Sequence, residues 1–223
     1  MTMNAQTAYQ HVDESGVVSG MRGAFPPEKA LHVAKILMSH GIRCFELTMN
    51  SEQPIEAMQA IKAEFGDDAC VGMGTVLSVD VATQVLDAGA DFIVSPAFQP
   101  DVVQTVLDAD TLVAPGIITP SEAVAAWDMG VKLLKIFPIG VLGLDYFKAI
   151  RGPLSHMKFM CNGGMHGENA YEFIKAGAVA AGMAGWLSGS GAPLSDEVLH
   201  HRAKLVRDAV DAAKHGKPIV REI

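Results

Sequence analysis

Short apolar runs alternate along this chain with longer segments whose apolar residues fall at helical spacing. One theme joins them: a helical segment ends in Gly, a few residues follow, and a β-branched or apolar run begins. It occurs at His40-Gly41 before residues 44–48, at Ala88-Gly89 before 92–95, at Met129-Gly130 before 133–138, and at Ala176-Gly177 before 179–183. Gly just past a helix end supplies a left-handed stop that other residues adopt only at a cost. Each unit therefore reads helix, stop, strand. Counting all the runs predicts eight strands, at 17–23, 44–49, 70–76, 92–98, 112–117, 133–138, 158–164 and 179–186. Their starts lie roughly 20 to 28 residues apart, room for one helix and two short loops. Segments 27–39, 54–65, 79–88 and 168–176 carry the helical spacing. Eight such units in 223 residues predict a compact α/β fold, the (β/α)8 TIM barrel. The competing open, doubly wound sheet fits this number and regularity less well.

Residues 195–214 read as an amphipathic helix burying Val198, Leu199, Leu205, Val206 and Val210, and residues 5–14 as an extra helix within a polar extension, 1–16. With no linker or low-complexity tract, one domain is expected over 1–223. The hydrophobic fraction is 49%, but no run approaches the ~20 apolar residues of a spanning helix. The first residues lack the basic-then-apolar layout of a signal peptide. A soluble, cytoplasmic protein is expected. The net charge of −8 argues against nucleic acid or an anionic membrane as partner, while local positive groups can still hold a small anion. Cys44, Cys70 and Cys161 are odd in number, lie in apolar stretches and show no C-x-x-C spacing, so they read as reduced core thiols.

Lys135 changes the picture most. It sits in the apolar run Leu133-Leu134-Lys135-Ile136-Phe137-Pro138. Burial disfavours the charged amine and lowers its pKa. A neutral amine can attack a ketone and form a Schiff base. In the second strand, alternation puts Cys44, Glu46 and Thr48 on one face and the bulkier Phe45, Leu47 and Met49 on the other, so Glu46 is expected to point into the barrel. Lys135 shares parity with Leu133 and Phe137, and both faces of its strand are apolar. Two readings stand for these charges: a buried Lys–Glu pair that fixes packing, or a nucleophilic amine with a carboxylate that shuttles protons. Arg22, at the end of the first strand, offers a planar fork for a carboxylate or phosphate, or is a surface arginine. Thr75 in Gly72-Met73-Gly74-Thr75-Val76 offers a hydroxyl, or simply packs. Asn162-Gly163-Gly164 ends the seventh strand, where exposed N–H groups bind anions in such barrels, or makes a tight turn. The eight histidines show no metal-ligand spacing, and no metal is expected.

These residues resemble a known family, the class I aldolases that cleave 2-keto-3-deoxy-6-phosphogluconate, with their phosphogalactonate and 4-hydroxy-2-oxoglutarate relatives. The resemblance runs from about residue 17 to 187. It rests on Met21-Arg22-Gly23, Phe45-Glu46-Leu47-Thr48, Gly72-Met73-Gly74-Thr75-Val76-Leu77, Val94-Ser95-Pro96, Ala114-Pro115-Gly116-Ile117, Leu134-Lys135-Ile136-Phe137-Pro138 and Gly163-Gly164, in this order and spacing. It implies a carbon–carbon lyase that is a homotrimeric barrel without metal or cofactor. It also implies a small keto-deoxy sugar acid as substrate, pyruvate and an aldehyde as products, and an Entner–Doudoroff setting. Lys135 would be the Schiff-base lysine and Glu46 the general acid/base. Arg22, Thr75, Pro96 and Phe137 would belong to the substrate pocket, and Asn162, Gly163 and Gly164 to the turn receiving the phosphate. Three segments depart from the family pattern. Asn50 stands where the gluconate enzymes carry an arginine, and Met49-Asn50-Ser51 looks more like the galactonate version. Gly185 stands where the family has a phosphate-binding serine, with Ser188 and Ser190 the nearby hydroxyls. Residues 139–143 replace the usual small polar segment. The aldehyde, its phosphorylation and the C4 configuration stay open on this reading. A sugar-phosphate isomerase or epimerase, or a non-catalytic sugar-acid-binding barrel, are the more distant alternatives.

Overall fold

The computed structural model describes residues 2–216. A single parallel sheet holds the molecule together. Its strands are β1 (Val17–Met21), β2 (Cys44–Thr48), β3 (Cys70–Gly74), β4 (Phe92–Val94), β5 (Leu112–Ala114), β6 (Gly116–Ile117), β7 (Leu134–Ile136), β8 (Phe159–Asn162) and β9 (Ala180–Met183). They lie in the order β5-β4-β3-β2-β1-β9-β8-β7-β6.

The two end strands of that order are halves of one expected strand, 112–117, divided at Pro115. Proline has no N–H to offer a neighbour. Before Pro115 the chain pairs with β4, and after it with β7. The proline carbonyl itself accepts the Lys135 N–H at 3.0 Å. Covalent continuity through Pro115 thus closes an eight-stranded barrel, and the count of nine segments comes from the division. The ladders are also shorter at their C-terminal ends than the apolar runs predict. Residues 22–23, 75–76, 95–98, 137–138, 163–164 and 184–186 leave the sheet and form the barrel rim.

The helices on the outside are α2 (Pro27–Ser39), α3 (Pro54–Phe65), α4 (Val79–Asp87), α5 (Pro100–Asp108), α6 (Pro120–Asp128), α7 (Ile139–Arg151), α8 (Gly167–Lys175) and α9 (Asp196–His215), with α1 (Ala5–Ser15) ahead of the first strand. Proline occupies the first turn of α2, α3, α5 and α6, where its missing N–H has no intrahelical partner to lose. Ser78 caps α4, and a Thr119–Glu122 capping box starts α6.

Strand parity sorts the buried residues into two groups. Phe45, Leu47, Val71, Met73, Leu134, Ile136, Phe159 and Cys161 pack outward beneath the helices. Val18, Cys44, Cys70, Phe92, Leu112, Leu133, Met160 and Ala180 fill the barrel, with Met3, Ala8 and Val12 from the α1 region packed into the same cluster. The start of the chain therefore forms the barrel floor, and chemistry is left to the opposite, open end.

Asp91 ties this floor to the wall. Its carboxylate is 1% exposed and accepts the N–H groups of Val71 (2.9 Å) and Met3 (3.0 Å) as well as Lys62 Nζ. An Asp91→Ala variant strands two buried backbone donors, so it is expected to lose about 2–3 kcal/mol of stability. Urea unfolding measures this, and a loss below about 0.5 kcal/mol, the range of an ordinary surface change, would show that the network adds nothing.

Candidate active site

A cavity of about 380 Å³ opens at the C-terminal mouth of the barrel. Lys135 rises into it from β7. Its neighbours in sequence, Leu134 and Ile136, belong to the outer core, while Leu133 belongs to the inner one. This settles the direction that two apolar faces left open. The lysine is 5% exposed, and its Nζ lies 4.8 Å from the centre of the Phe137 ring. Loss of water is the largest influence on the amine and holds its pKa below 10.5, Glu46 opposes the shift, and Arg22 adds to it. The chain thus holds a buried primary amine, its charged form disfavoured by burial, in one cavity with a carboxylate. The two do not appear among the direct ion pairs of the described residues.

Glu46 points inward from β2, as its alternation predicts, and is 6% exposed. Its place depends on Gly74 of the neighbouring strand, because a Cβ there would lie 1.9 Å from Glu46 Oε1. Asn162 of β8 is accommodated in the same way, since a Cβ on Gly182 would lie 2.0 Å from its Nδ2. Asn162 Oδ1 is buried without a hydrogen-bond partner among the described residues. An acceptor in that state suits a donor brought by a ligand.

Arg22, Phe137, Gly163 and Gly164 join Lys135, Glu46 and Asn162 around the cavity. Gly163 and Gly164 have φ of 81° and 83°, so the turn needs two residues without Cβ. Gly163 O accepts the Gly140 N–H at 2.6 Å, which fixes the turn against the start of α7. Thr75 and Pro96 follow the ends of β3 and β4 on the same rim, half-buried, outside the residues that line the cavity. Thr75 has φ 61°, a conformation that costs a β-branched residue about 1–3 kcal/mol.

Four lining residues carried no role in the expectations from sequence, Thr48, Met165, His166 and Trp186, and Ser190 entered them only as a hydroxyl near Gly185. Thr48 shares parity with Glu46, which was a usable signal; the rest come from loops with no periodicity. The two nearby serines separate cleanly. Ser188 is fully buried and hydrogen-bonded to Ser19 at 2.6 Å. Ser190 lines the cavity, with its Oγ in the space that Gly185 leaves free, 2.4 Å from where a Cβ would stand. Among the described residues no group of three or more His, Cys, Asp or Glu side chains is placed to hold a metal ion.

Comparison with known proteins decides the family. Residues 22–199 match the family described as KDPG and KHG aldolase. The chain belongs to the KDPG/KHG aldolase family. It is 36% identical over 161 residues to a 2-dehydro-3-deoxy-phosphogluconate aldolase of Treponema pallidum, covering 72% of this chain and 76% of that one. It is 33% identical over 188 residues to the KHG/KDPG aldolase of Escherichia coli K12, covering 84% and 87%. A solved structure described as native KDPGal superposes with a TM-score of 0.83 at 30% identity, over 88% and 95% of the two chains. The protein is thus an aldolase, a carbon–carbon lyase, on a TIM barrel.

For this aldolase the Gly74–Glu46 contact gives a specific expectation. A Gly74→Ala change displaces the carboxylate by about an ångström or more, and kcat is expected to fall about 100-fold with the thermal melt little altered. Steady-state assay of the purified variant tests this, and full activity would show that the position of Glu46 is immaterial.

Proposed function

We propose that Lys135 forms an imine with the C2 ketone of a 2-keto-3-deoxy-6-phospho sugar acid and that Glu46 moves the protons. The observation that carries this reading is a buried amine with a lowered pKa sharing one cavity with a buried carboxylate. The neutral amine adds to C2 to give a carbinolamine. Glu46, directly or through a water, returns a proton to the departing oxygen, and water leaves as the protonated imine forms. That cation accepts the electron pair of the C3–C4 bond as it breaks, while the C4 hydroxyl gives its proton to Glu46. The aldehyde departs, the enamine takes a proton back at C3, and water releases pyruvate and the free amine. General acid–base transfer of this kind is worth about 10²- to 10⁴-fold in rate.

The rest of the cavity supports a substrate anionic at one or both ends and hydroxylated between them. Arg22 suits a carboxylate or other polar group, with Phe137 as a neighbouring wall, and Thr75 and Pro96 stand on the rim beside them, outside the cavity lining. Asn162 Oδ1 suits a hydroxyl donor. The glycine turn and Ser190 suit a terminal phosphate, the hydroxyl of Ser190 standing beside Gly185. This favours the phosphorylated gluconate or galactonate substrates over 4-hydroxy-2-oxoglutarate or an unphosphorylated acid. An Entner–Doudoroff setting applies if the gluconate epimer is the substrate. The proposal includes a cytoplasmic homotrimer, supported by the family resemblance; no helix among the described residues is long and apolar enough to cross a membrane.

Borohydride reduction in the presence of pyruvate, followed by peptide mapping, tests the reading. An adduct on Lys135, absent from Lys135→Ala, is expected. The trapping rate is expected to rise with pH about a midpoint below 10.5. Glu46→Gln removes the influence that raises the lysine pKa and moves the midpoint down. Arg22→Met removes one that lowers it and moves the midpoint up. No adduct with folded protein and excess pyruvate would overturn the imine.

A further inference from the structure

Arg22 leaves β1 where the ladder ends, with an exposed side chain that reaches the cavity. Its guanidinium takes part in none of the ion pairs found among the described residues. A free arginine side chain carries about 2 kcal/mol of rotamer entropy, so its aim depends on the main chain beneath it. That main chain is held on both sides by a pair of hydroxyls, Ser51 and Thr48. Ser51 Oγ accepts the N–H of Gly23 at 3.0 Å and lies 3.3 Å from the carbonyl of Met21. Thr48 Oγ1 lies 2.8 Å from Ser51 Oγ and 3.3 Å from the same carbonyl. Two hydroxyl protons serve these three contacts, so one hydroxyl donates to the other, which donates to Met21 O. Around this bracket the Glu52 N–H reaches Gly23 O at 2.9 Å, and the Ala24 N–H reaches Gly191 O at 2.7 Å. Gly23 and Gly191 also form a short parallel bridge. Ser51 itself lies outside the cavity lining, and its hydroxyl is engaged with main chain and with Thr48.

We propose that Ser51 is a positioning residue, whose hydroxyl, directly on Gly23 and together with that of Thr48 on Met21, fixes the main chain on both flanks of Arg22 and so sets where the guanidinium meets the substrate's anionic group. This rests on the reading of Arg22 and Lys135 given under the proposed function. The consequence differs from ordinary stabilisation. Ser51 matters only through Arg22, so its loss shows in binding of the anionic substrate and disappears once Arg22 is gone.

The test compares wild type, Ser51→Ala, Ser51→Thr, Arg22→Met and the Ser51→Ala/Arg22→Met double variant. One assay is cleavage of 2-keto-3-deoxy-6-phosphogluconate or its galactonate epimer, whichever the wild type cleaves faster. Ser51→Ala is expected to raise KM about 5- to 10-fold and to change kcat less than about 3-fold, the pattern of lost uniform binding. In the Arg22→Met background the same change is expected to alter KM less than about 2-fold, because the two positions act as one unit. Ser51→Thr, which keeps the hydroxyl, is expected to recover most of the loss. The second assay is borohydride trapping with pyruvate, which needs no choice of aldehyde. Lys135 shares the cavity with Glu46, Arg22 and His166. Of these, Arg22 lowers the amine pKa, so Ser51→Ala is expected to move the trapping midpoint upward, in the direction of Arg22→Met and by less. Equal effects of Ser51→Ala with and without Arg22, a fall in kcat at constant KM, or no effect at all would overturn the proposal. A wild type that forms no pyruvate adduct would instead remove the imine reading, and this inference with it.

Discussion

The site depends on one physical constraint: the Lys135 amine is taken out of water and, among the described residues, given no direct salt bridge in return. Loss of hydration is the largest influence on its pKa, and the carboxylate that opposes the shift acts through space. A tighter Lys–Glu pair would have stabilised the ammonium and removed the nucleophile. A fully apolar surround would have left no group to move protons. The barrel lies between these extremes, with Glu46 on β2 and Arg22 beyond β1 acting in opposite directions on one nitrogen.

Close packing of the rest serves that arrangement. At the lower levels the interior is filled by Cys44, Cys70, Phe92, Leu112 and Met160 over the floor made by Met3, Ala8 and Val12. Higher up, glycines replace bulk where a polar side chain must fit: Gly74 beside Glu46, Gly182 beside Asn162, and Gly185 beside Ser190. In each case a single Cβ would occupy the space of a group facing the cavity. The glycines therefore define the site by what they leave out, and the fold gives up apolar packing at one end to hold polar groups there. Pro115 makes a related trade, dividing a strand while its carbonyl holds the Lys135 N–H.

Much of this was legible in the sequence. The helix–Gly–strand repeat carries the barrel because left-handed stops and parallel strands leave strong local marks. Glu46 could be aimed from alternation alone, since one face of its strand was plainly bulkier. Lys135 stood out as a charge in an apolar run, but its direction did not follow, because strands buried on both faces lose their alternation. The division of the fifth strand was hidden for a different reason. Pro115 is visible, but the switch of partner depends on register across the closed barrel. His166, Trp186, Ser190 and the Ser51 bracket lie in loops, where position is set by long-range contacts and not by local period. The unpartnered oxygen of Asn162 is likewise a property of packing against Gly182, two elements that only the fold brings together.

The central claim is that Lys135 is kept at a cost to stability because the buried amine is needed for chemistry. Thermal unfolding of wild type and Lys135→Met across pH tests it most directly. Folding lowers the lysine pKa below its unfolded value, so the penalty is fully present below the folded pKa and is released as pH rises toward 10.5. The account predicts that Lys135→Met melts about 2–4 °C higher than wild type near pH 7, as a gain of roughly 1 kcal/mol implies for a chain of this size, and that the gap narrows as pH rises. A variant that melts lower than wild type at pH 7, or a gap that does not change with pH, would contradict it.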